Sequence, residues 1–294
     1  MKNPTRVTVR ARAKINLDLR ILGRRADGYH ELRTIFQALT WHDTVTVSRV
    51  QGPILITGDA SKMPLDHSNL AWRAADALWR AAGSRREPAG ARIAIVKRIP
   101  AQAGLGGGSS DAAATLVALN RLWGFHLRRA ELASVARPLG ADVAFFLTGG
   151  TALGLGRGDE IYPLADLSPH HVVVAWPGPG VSTVDAYRWF TEFHARRPGG
   201  ADGNGHVCGW DPERLDTSGN DLEGPVEAHR PEIRKIRRTL VSCGARLAQM
   251  SGSGSAVFGL FESKAKAERA CSAVKAAGWA GVSTRTLARG RLVV

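Results

Sequence analysis

Residues 100–113 read PAQAGLGGGSSDAA, a cluster of glycines and serines that runs directly into an alanine-rich segment. Alanine favours helix, so the chain is predicted to become helical near Ser109. Glycines reach positive φ angles without steric cost and let a backbone approach a ligand closely. A helix N-terminus attracts anions through its free N–H groups and its dipole. The stretch therefore predicts a phosphate-binding loop, and a flexible loop with a helix N-cap is the simpler alternative.

Four glycines carry this prediction, and they are Gly104, Gly106, Gly107 and Gly108. Ser109 and Ser110 would add hydroxyls that can bond a phosphate oxygen or a magnesium ion. The stretch differs from known phosphate loops. It lacks the GK[ST] ending of a Walker A loop, the strand and acidic context of a dinucleotide fingerprint, and the lysine, HRD and DFG motifs of protein kinases.

Outside this loop, strand-like and helix-like segments are mixed without regular alternation. Residues 5–22 alternate as one long strand or two short ones, and Asp27-Gly28 marks a turn. Further strands are predicted in 34–50, 53–59, 91–100, 171–180, 247–261 and 282–290, and helices in 69–82, 131–139, 229–244 and 264–279. Ser68 or Asn69 would cap the helix at 69–82. This order favours an α+β or α/β layered fold over a doubly wound Rossmann sheet.

Composition narrows the class of protein. The formal charge of +14 favours polyanionic partners, although an arginine-rich surface without a specific partner would give the same balance. Cys208, Cys243 and Cys271 are odd in number and widely spaced, which argues against a disulfide framework or a zinc cluster. No secretory signal and no apolar run of membrane-spanning length is visible. A cytoplasmic protein without a membrane partner is expected, with a flexible loop at 197–210.

Two single residues, Lys14 and Asp142, are candidates for a catalytic role. Lys14 lies on the first alternating strand, where a lysine is usually a surface residue, but its ammonium could also point into a phosphate site. Asp142 precedes the apolar run 143–147. It could be a helix cap or a turn residue, or it could accept the proton of an attacking hydroxyl group.

Two further segments have open alternatives. Tyr29 and His30 follow the Asp-Gly turn and could simply pack there, since aromatic groups often only fill space. Residues 251–254, SGSG, could be a tight strand connection or a wall of a phosphate and substrate site.

The Pro-x-x-x-Gly-Leu-Gly-Gly-Gly-Ser-Ser pattern resembles the central motif of the GHMP kinases. Four other blocks, in order along the chain, are similar to the branch of this family that phosphorylates a cytidine-diphosphate-linked methylerythritol. They are AKINLDLRILGRRADGYHEL at 13–32, GADVAFFLTGGTALGLGRGDEI at 140–161, SGNDLEGPV at 218–226 and MSGSGSAVFGLF at 250–261. Together the five blocks span almost the whole chain.

The resemblance implies a two-domain α+β fold. Residues 1–155 would resemble the second domain of a ribosomal small-subunit protein and bind ATP, and residues 156–294 would be ferredoxin-like. The active site would lie in the cleft between them. The reaction implied is transfer of a phosphoryl group from ATP, with Mg²⁺, to the 2-hydroxyl of the acceptor, a step of the non-mevalonate isoprenoid pathway.

The resemblance also assigns residues. Lys14 and Asp142 would be the catalytic pair, and Asn16, Tyr29, His30 and, more weakly, Tyr187 would bind the substrate, with an aromatic ring stacked on cytosine and His30 at its polar edge. The ATP-binding residues would be Pro100, Ala101, Gln102, Ala103, Gly104, Leu105, Gly106, Gly107, Gly108, Ser109 and Ser110. No metal ligand is assigned.

Two rival functions remain. Another GHMP kinase with a small acceptor, such as homoserine or mevalonate, would share the glycine loop, but the ADGYHEL block at 26–32 speaks against it. A nucleic-acid-binding protein would suit the charge. However, basic residues are dispersed along the sequence and no RNP, KH or zinc-finger pattern appears, so no nucleic-acid partner is expected. The sequence leaves the oligomeric state open.

Overall fold

The computed structural model describes residues 4–83, 89–195 and 215–291 of the chain. The predicted loop at 197–210, including Cys208, lies outside these residues. Within them, ten strands and eight α-helices form an α+β fold with two sheets, which confirms the predicted fold class. No helix in the described part of the chain has the length and apolar character needed to cross a membrane.

The first sheet is built on a long hairpin of β1 (Arg6–Arg24) and β2 (His30–Arg49). Residues 5–22 therefore form one long strand, which three register shifts against β2 allow to bend. The predicted turn at Asp27-Gly28 joins the two strands. The other strands are β3 (Leu55–Gly58), β4 (Ala91–Val96), β5 (Thr151–Leu155) and β6 (Glu160–Pro163), in the order β3-β4-β2-β5-β6, with β1 paired to β2.

Four helices cover this sheet. They are α1 (Leu70–Ala81), α2 (Gly107–Trp123), α3 (Arg129–Ala136) and α4 (Val143–Thr148), and a 3₁₀ turn, Arg137–Leu139, joins the last two. Asn69 is the cap of α1, because its side-chain oxygen accepts a hydrogen bond from the Ala71 N–H at 2.9 Å. Helix α2 is buried almost all round and so lies at the centre of the largest hydrophobic core.

The second sheet is antiparallel, with strands in the order β10-β7-β9-β8. Its strands are β7 (His171–Trp176), β8 (Leu247–Met250), β9 (Val257–Phe261) and β10 (Ala280–Arg285). Its helices are α5 (Thr183–Ala195), α6 (Glu223–His229), α7 (Pro231–Ser242) and α8 (Lys264–Ala276), and short 3₁₀ turns lie at Leu215–Thr217 and Arg289–Arg291. The sequence did not predict α5 or α6, and the helix predicted in 229–244 corresponds to α7.

The two sheets share a buried core and backbone hydrogen bonds. Ile15 and Leu17 of β1 pack in one cluster with Val172 and Phe258 of the second sheet. The expected division after Leu155 would separate the hydrogen-bonded strands β5 and β6. We therefore propose that the domain boundary lies in 164–170, between the last strand of the first sheet and the first strand of the second.

Candidate active site

A cavity of about 1050 Å³ lies where the two sheets meet. Its lining includes the glycine loop, the turn between β1 and β2, the start of α4, and residues of α5 and of the loop 251–254. The charged residues that line it are Lys14, Arg24, Arg137, Asp142, Arg157 and Arg188. Among the described lining residues, five cationic side chains thus face a single carboxylate, which favours a polyanionic ligand.

The glycine loop forms one wall of the cavity, and helix α2 begins at Gly107, two residues earlier than predicted. Gly104 and Gly106 have φ angles of 77° and 69°, which only glycine adopts easily. The expectation of positive φ was wrong for Gly107 and Gly108, which are the first two residues of the helix. Nine of the eleven residues predicted for ATP line the cavity, whereas Leu105 and Ser110 are buried in the core.

A second glycine turn, residues 251–254, packs directly on the first. The Ser251 hydroxyl donates to the Gly104 carbonyl at 2.9 Å, and a Cβ on Gly104 would lie 1.9 Å from the Ser251 carbonyl oxygen. The contact therefore requires glycine at 104. Asn220 holds the turn from the other side, donating to the carbonyls of Met250 and Gly252 at 2.9 and 2.8 Å. Gly252 and Ser253 line the cavity, as the wall interpretation predicts.

Lys14 is only 3% exposed, so it is not a surface lysine. Its Nζ donates to Asn16 Oδ1 at 2.6 Å and lies 3.3 Å from Asp142 Oδ2. The Asn16 amide in turn donates to the Thr34 hydroxyl at 2.7 Å, which orients the oxygen towards the lysine. The Lys14 ammonium is therefore held in one position at the cavity wall, beside the ring of Phe36 at 5.4 Å.

Asp142 occupies the N-cap position of α4, but its side chain makes no capping hydrogen bond. It is 29% exposed and lines the cavity, where Lys14 is its ion-pair partner. The carboxylate is thus directed to the ammonium and the cavity, and the helix-cap interpretation explains only its backbone position. A carboxylate at this position can accept a proton from a hydroxyl group placed in the cavity.

The predicted substrate residues line the same cavity, Asn16 beside Lys14 and the other three on the β1–β2 hairpin and α5. His30 stacks on Tyr187, with ring centroids 4.9 Å apart and planes 20° apart. Tyr29 is 58% exposed on the turn, and the Arg157 guanidinium lies 5.1 Å from its ring centre. The structure therefore brings Tyr187, the weaker of the substrate candidates, directly against His30. All three rings border the cavity.

The protonation states of these rings follow from their surroundings. Burial, together with the Arg24 charge, lowers the pKa of His30, so its imidazole is neutral at pH 7. Burial, together with the Asp142 carboxylate, raises the pKa of Tyr187, so its hydroxyl keeps its proton. A neutral imidazole offers one donor and one acceptor, which suits the edge of a nucleobase.

Sequence reasoning missed the arginines of the cavity. Arg24 and Arg157 lie inside the blocks 13–32 and 140–161, but the resemblance assigned roles to other residues of those blocks. Arg188 lies on α5, which was not predicted, and Arg137 lies in the 3₁₀ turn before Asp142. The net charge was the only signal for them, and it does not say which cations meet in space.

A buried ion cluster lies beneath the glycine loop. Lys97 Nζ donates to Asp43 Oδ2 at 2.5 Å and to Asp111 Oδ2 at 2.7 Å, and all three side chains are at most 5% exposed. Asp43 also accepts hydrogen bonds from the backbone N–H groups of Arg98 and Ile99. Asp111 Oδ1 has no hydrogen-bond partner among the residues that the structure describes. Burial raises the pKa of Asp111 to about 7, with repulsion from Asp43 opposing the attraction of Lys97.

This cluster makes stability depend on pH. Because the folded-state pKa of Asp111 exceeds its unfolded value, the native chain holds a proton between about pH 4 and 7 that the unfolded chain has lost. This group therefore contributes less to stability as pH rises through that window. We expect Asp111→Asn, which mimics the protonated acid, to reduce the decline in the free energy of unfolding between pH 4 and 7 by about 2 kcal/mol. Urea unfolding across this range is the measurement, and parallel curves for both proteins would contradict it.

Gly108 provides the sharpest test of the phosphate loop. A Cβ there meets no atom within 4 Å and would stand in the cavity, whereas a Cβ on Gly107 would press on Ile99 and Lys97 at 3.0 and 3.2 Å. We expect Gly108→Val to fold normally and to weaken ATP binding about tenfold or more, or ~1.4 kcal/mol. Calorimetric titration measures this. Gly224→Val is the matched control, since Gly224 is also the second residue of a helix with open space around it. Equal ATP affinity in all three proteins would remove the loop from the site.

The site geometry agrees with comparisons of the whole chain. The family model for the N-terminal domain of GHMP kinases matches residues 69–150, and the model for their C-terminal domain matches residues 212–279. The chain therefore belongs to the GHMP kinase family.

Three relatives refine this assignment. A 4-diphosphocytidyl-2-C-methyl-D-erythritol kinase of Prosthecochloris aestuarii is 42% identical over 273 residues, covering 92% of this chain and 94% of its own. A crystal structure of a 4-(cytidine 5'-diphospho)-2C-methyl-D-erythritol kinase superposes with a TM-score of 0.78 at 39% identity, over 95% of this chain and 99% of its own. The homoserine kinase of Cytophaga hutchinsonii has a TM-score of 0.72 at 19% identity, over 98% and 96% of the two chains, which shows a shared fold alone.

Proposed function

We propose that this protein is an ATP-dependent kinase that phosphorylates the 2-hydroxyl of 4-diphosphocytidyl-2-C-methyl-D-erythritol, a reaction of isoprenoid biosynthesis. The observation that carries the proposal is the Lys14–Asp142 pair in a cavity that has the glycine loop on one wall and His30 and Tyr187 on another. Relatives at about 40% identity over nearly the whole chain bear the name of this enzyme, which supports the choice of acceptor.

The glycine loop would bind the phosphates of ATP. The N–H groups at the start of α2 are free of helical partners, and Gly108 and Ser109 line the cavity there. The helix is 17 residues long, so its dipole adds a favourable field at this end. The loop contributes position and electrostatic stabilisation, which are the main requirements of phosphoryl transfer.

Lys14 and Asp142 would act on the acceptor hydroxyl. The Asp142 carboxylate would accept its proton as the oxygen attacks the terminal phosphorus of ATP. Lys14 would keep the carboxylate ionised and stabilise the charge on the transferred phosphoryl group. Because the ammonium is fixed by Asn16, it needs little reorganisation during the reaction.

Magnesium fits the oxygen groups available at this site. The carboxylate of Asp142 and the hydroxyl of Ser109 are hard oxygen donors that line the cavity, and Mg²⁺ usually binds through one or two carboxylates together with substrate phosphates. Within the described residues no group of three or more histidine, cysteine or acidic side chains could form a complete cage. When bound, Mg²⁺ would neutralise phosphate charge.

His30, Tyr187 and Tyr29 would bind the cytidine end of the acceptor. Their rings lie in the same cavity as the catalytic pair, Tyr29 on the turn after β1, His30 at the start of β2 and Tyr187 on α5, so the base and the reacting hydroxyl would contact different residues. Arg24, Arg157 and Arg188 line the space near these rings and can neutralise the diphosphate of the acceptor. Binding energy at this remote end would orient the hydroxyl that reacts.

Acceptor selectivity tests the proposal. The purified protein is given ATP, Mg²⁺ and one acceptor at a time, and ADP release is followed. We expect activity with the cytidine-linked acceptor, at least a hundredfold lower kcat/KM with methylerythritol phosphate, and no reaction with homoserine or mevalonate. Equal activity without the cytidine would contradict the base-binding role of the three rings. Activity on homoserine or mevalonate alone would leave the family intact and overturn the proposed acceptor.

A further inference from the structure

A second cavity, of about 570 Å³, lies on another side of the junction between the two sheets. It shares no lining residue with the active-site cavity and is bordered by β2, β10, the start of β7, the start of α8 and the segment after β4. Its cationic and titratable lining residues are His42, Arg98, His171, Lys264 and Arg285. We refer to it as the basic cavity.

No acidic residue is among the described residues that line the basic cavity. Arg98 and Arg285 make no ion pair within the described ranges, and Lys264 is paired only with the exposed Glu268 at 3.4 Å. Arg12 adds a further charge behind His42; the residue is 8% exposed, and its guanidinium donates to the Thr40 carbonyl at 2.7 Å. Cations that are brought together without counter-charges repel one another, so the arrangement is favourable mainly when an anion binds there.

The floor of the basic cavity is ordered by hydrogen bonds between β2 and β10. The hydroxyls of Thr40 and Thr284 lie 2.9 Å apart, and the Trp41 N–H donates to Thr284 Oγ1 at 3.0 Å. The Arg285 N–H donates to Thr40 Oγ1 at 3.2 Å. The Trp41 ring stacks on Trp176 with centroids 5.7 Å apart. The cavity is therefore formed before any ligand binds, which limits the entropy cost of binding.

His42 shows the effect of the local charge. Its Nδ1 lies 2.9 Å from the Thr40 carbonyl oxygen, which can only accept, so Nδ1 carries the proton and Nε2 is left to meet a ligand. Burial lowers the pKa of His42, and repulsion from Arg12, Arg10 and Arg98 lowers it further, against the hydrogen bond to Thr40. The same arginine charges that disfavour a proton on His42 would attract an anion bound in the basic cavity.

We propose that the basic cavity binds a compact anion carrying two phosphate groups. Arg98, Lys264 and Arg285 are exposed side chains that supply three positive charges, which match the roughly −3 charge of a diphosphate. Guanidinium groups bind phosphate oxygens in pairs, and the exposed Ser283 hydroxyl can add a single hydrogen bond. The concave shape favours a small ligand over an extended nucleic-acid strand.

Titration with inorganic pyrophosphate tests the proposal, with a readout that is local to the basic cavity. The full chain is labelled with ¹⁵N, and the Trp41 indole N–H signal is assigned as the one missing in Trp41→Phe. We expect a saturable shift of this signal in the wild-type protein. In the Arg98→Gln/Arg285→Gln variant, the apparent Kd should rise at least about tenfold. Because the readout is at Trp41, pyrophosphate that binds in the active-site cavity does not obscure the result.

A charge-matched variant separates a site from a general field. Arg92→Gln/Arg238→Gln removes the same charge from exposed positions on β4 and α7 and should keep the wild-type affinity. Thermal unfolding checks that all variants are folded. The proposal is overturned if pyrophosphate leaves the Trp41 signal in place, if both variants lose affinity equally, or if a short single-stranded RNA shifts the signal while pyrophosphate does not.

Discussion

Asp142→Asn should lower turnover by about a hundredfold or more while ATP affinity barely changes. The amide is nearly the same shape as the carboxylate but cannot accept the hydroxyl proton or pair with Lys14, which lies 3.3 Å away. Asn and Asp are equally good at an N-cap, the position of residue 142 at α4, so folding should be preserved. ATP affinity is expected to persist because the glycine loop holds the nucleotide.

The matched control is Asp76→Asn. Asp76 is also partly exposed, at 24%, and is ion-paired with Arg80 at 2.9 Å, but it lies on α1 away from the cavity. It should keep wild-type turnover. Steady-state kinetics and ATP titration are the measurements. Near wild-type turnover in Asp142→Asn would remove this carboxylate from the mechanism.

Lys14→Met is expected to have a loss of similar size, about a hundredfold or more in kcat. Methionine can fill the buried space of the lysine stem but brings no charge to the transferred phosphoryl group. Removing the ammonium alone leaves Asp142 and the buried Asn16 Oδ1 atom without their partner, so the melting temperature should fall. A thermal unfolding curve shows whether the variant is still folded at the assay temperature. This separates a catalytic loss from unfolding. Lys62→Met, at an exposed lysine paired with Asp59, is the control and should be fully active.

Combining the two substitutions tests whether Lys14 and Asp142 act together. Groups that work as one unit give losses that do not add, so the double variant should lose far less than the product of the single losses. Losses that multiply would indicate independent roles. A fully active Lys14→Met protein would remove the ammonium from the mechanism.

Local sequence rules predicted the parts of the fold that local interactions determine. The alternating pattern of residues 5–22 gave β1, the Asp27-Gly28 turn gave the hairpin, and the alanine-rich segment gave α2. Helix α5 was missed because its stretch, TVDAYRWFTEFHA, is rich in β-branched and aromatic residues of modest helix propensity. Tertiary packing against α6 supports it instead.

Local sequence rules did not predict which glycines of the loop have positive φ. Four glycines suggested a flexible cradle, but the helix begins at Gly107, so only Gly104 and Gly106 have positive φ. The position of the first helical residue decides which glycine faces the ligand, and composition alone does not give it. Contact with Ser251, far along the chain, fixes Gly104 in place.

The candidate site could be assembled from sequence only through the family resemblance. Lys14 and Asp142 come from distant segments, and for both the residues alone left a structural alternative open. The basic cavity illustrates the same point without any resemblance. Its cations are dispersed in the sequence, which argued against a cluster, yet folding brings them beside Trp41. Long-range strand pairing creates such sites, and periodicity carries no information about it.

The central claim is that the protein transfers phosphate to the 2-hydroxyl of its acceptor. Identifying the hydroxyl that is phosphorylated tests this claim most directly. The protein is incubated with ATP, Mg²⁺ and 4-diphosphocytidyl-2-C-methyl-D-erythritol, and the products are followed by ³¹P NMR. The proposed function predicts a new phosphomonoester on the 2-hydroxyl that appears in step with ADP and is lost in Asp142→Asn. ADP formed without a phosphomonoester, or a phosphate on another hydroxyl, would contradict it.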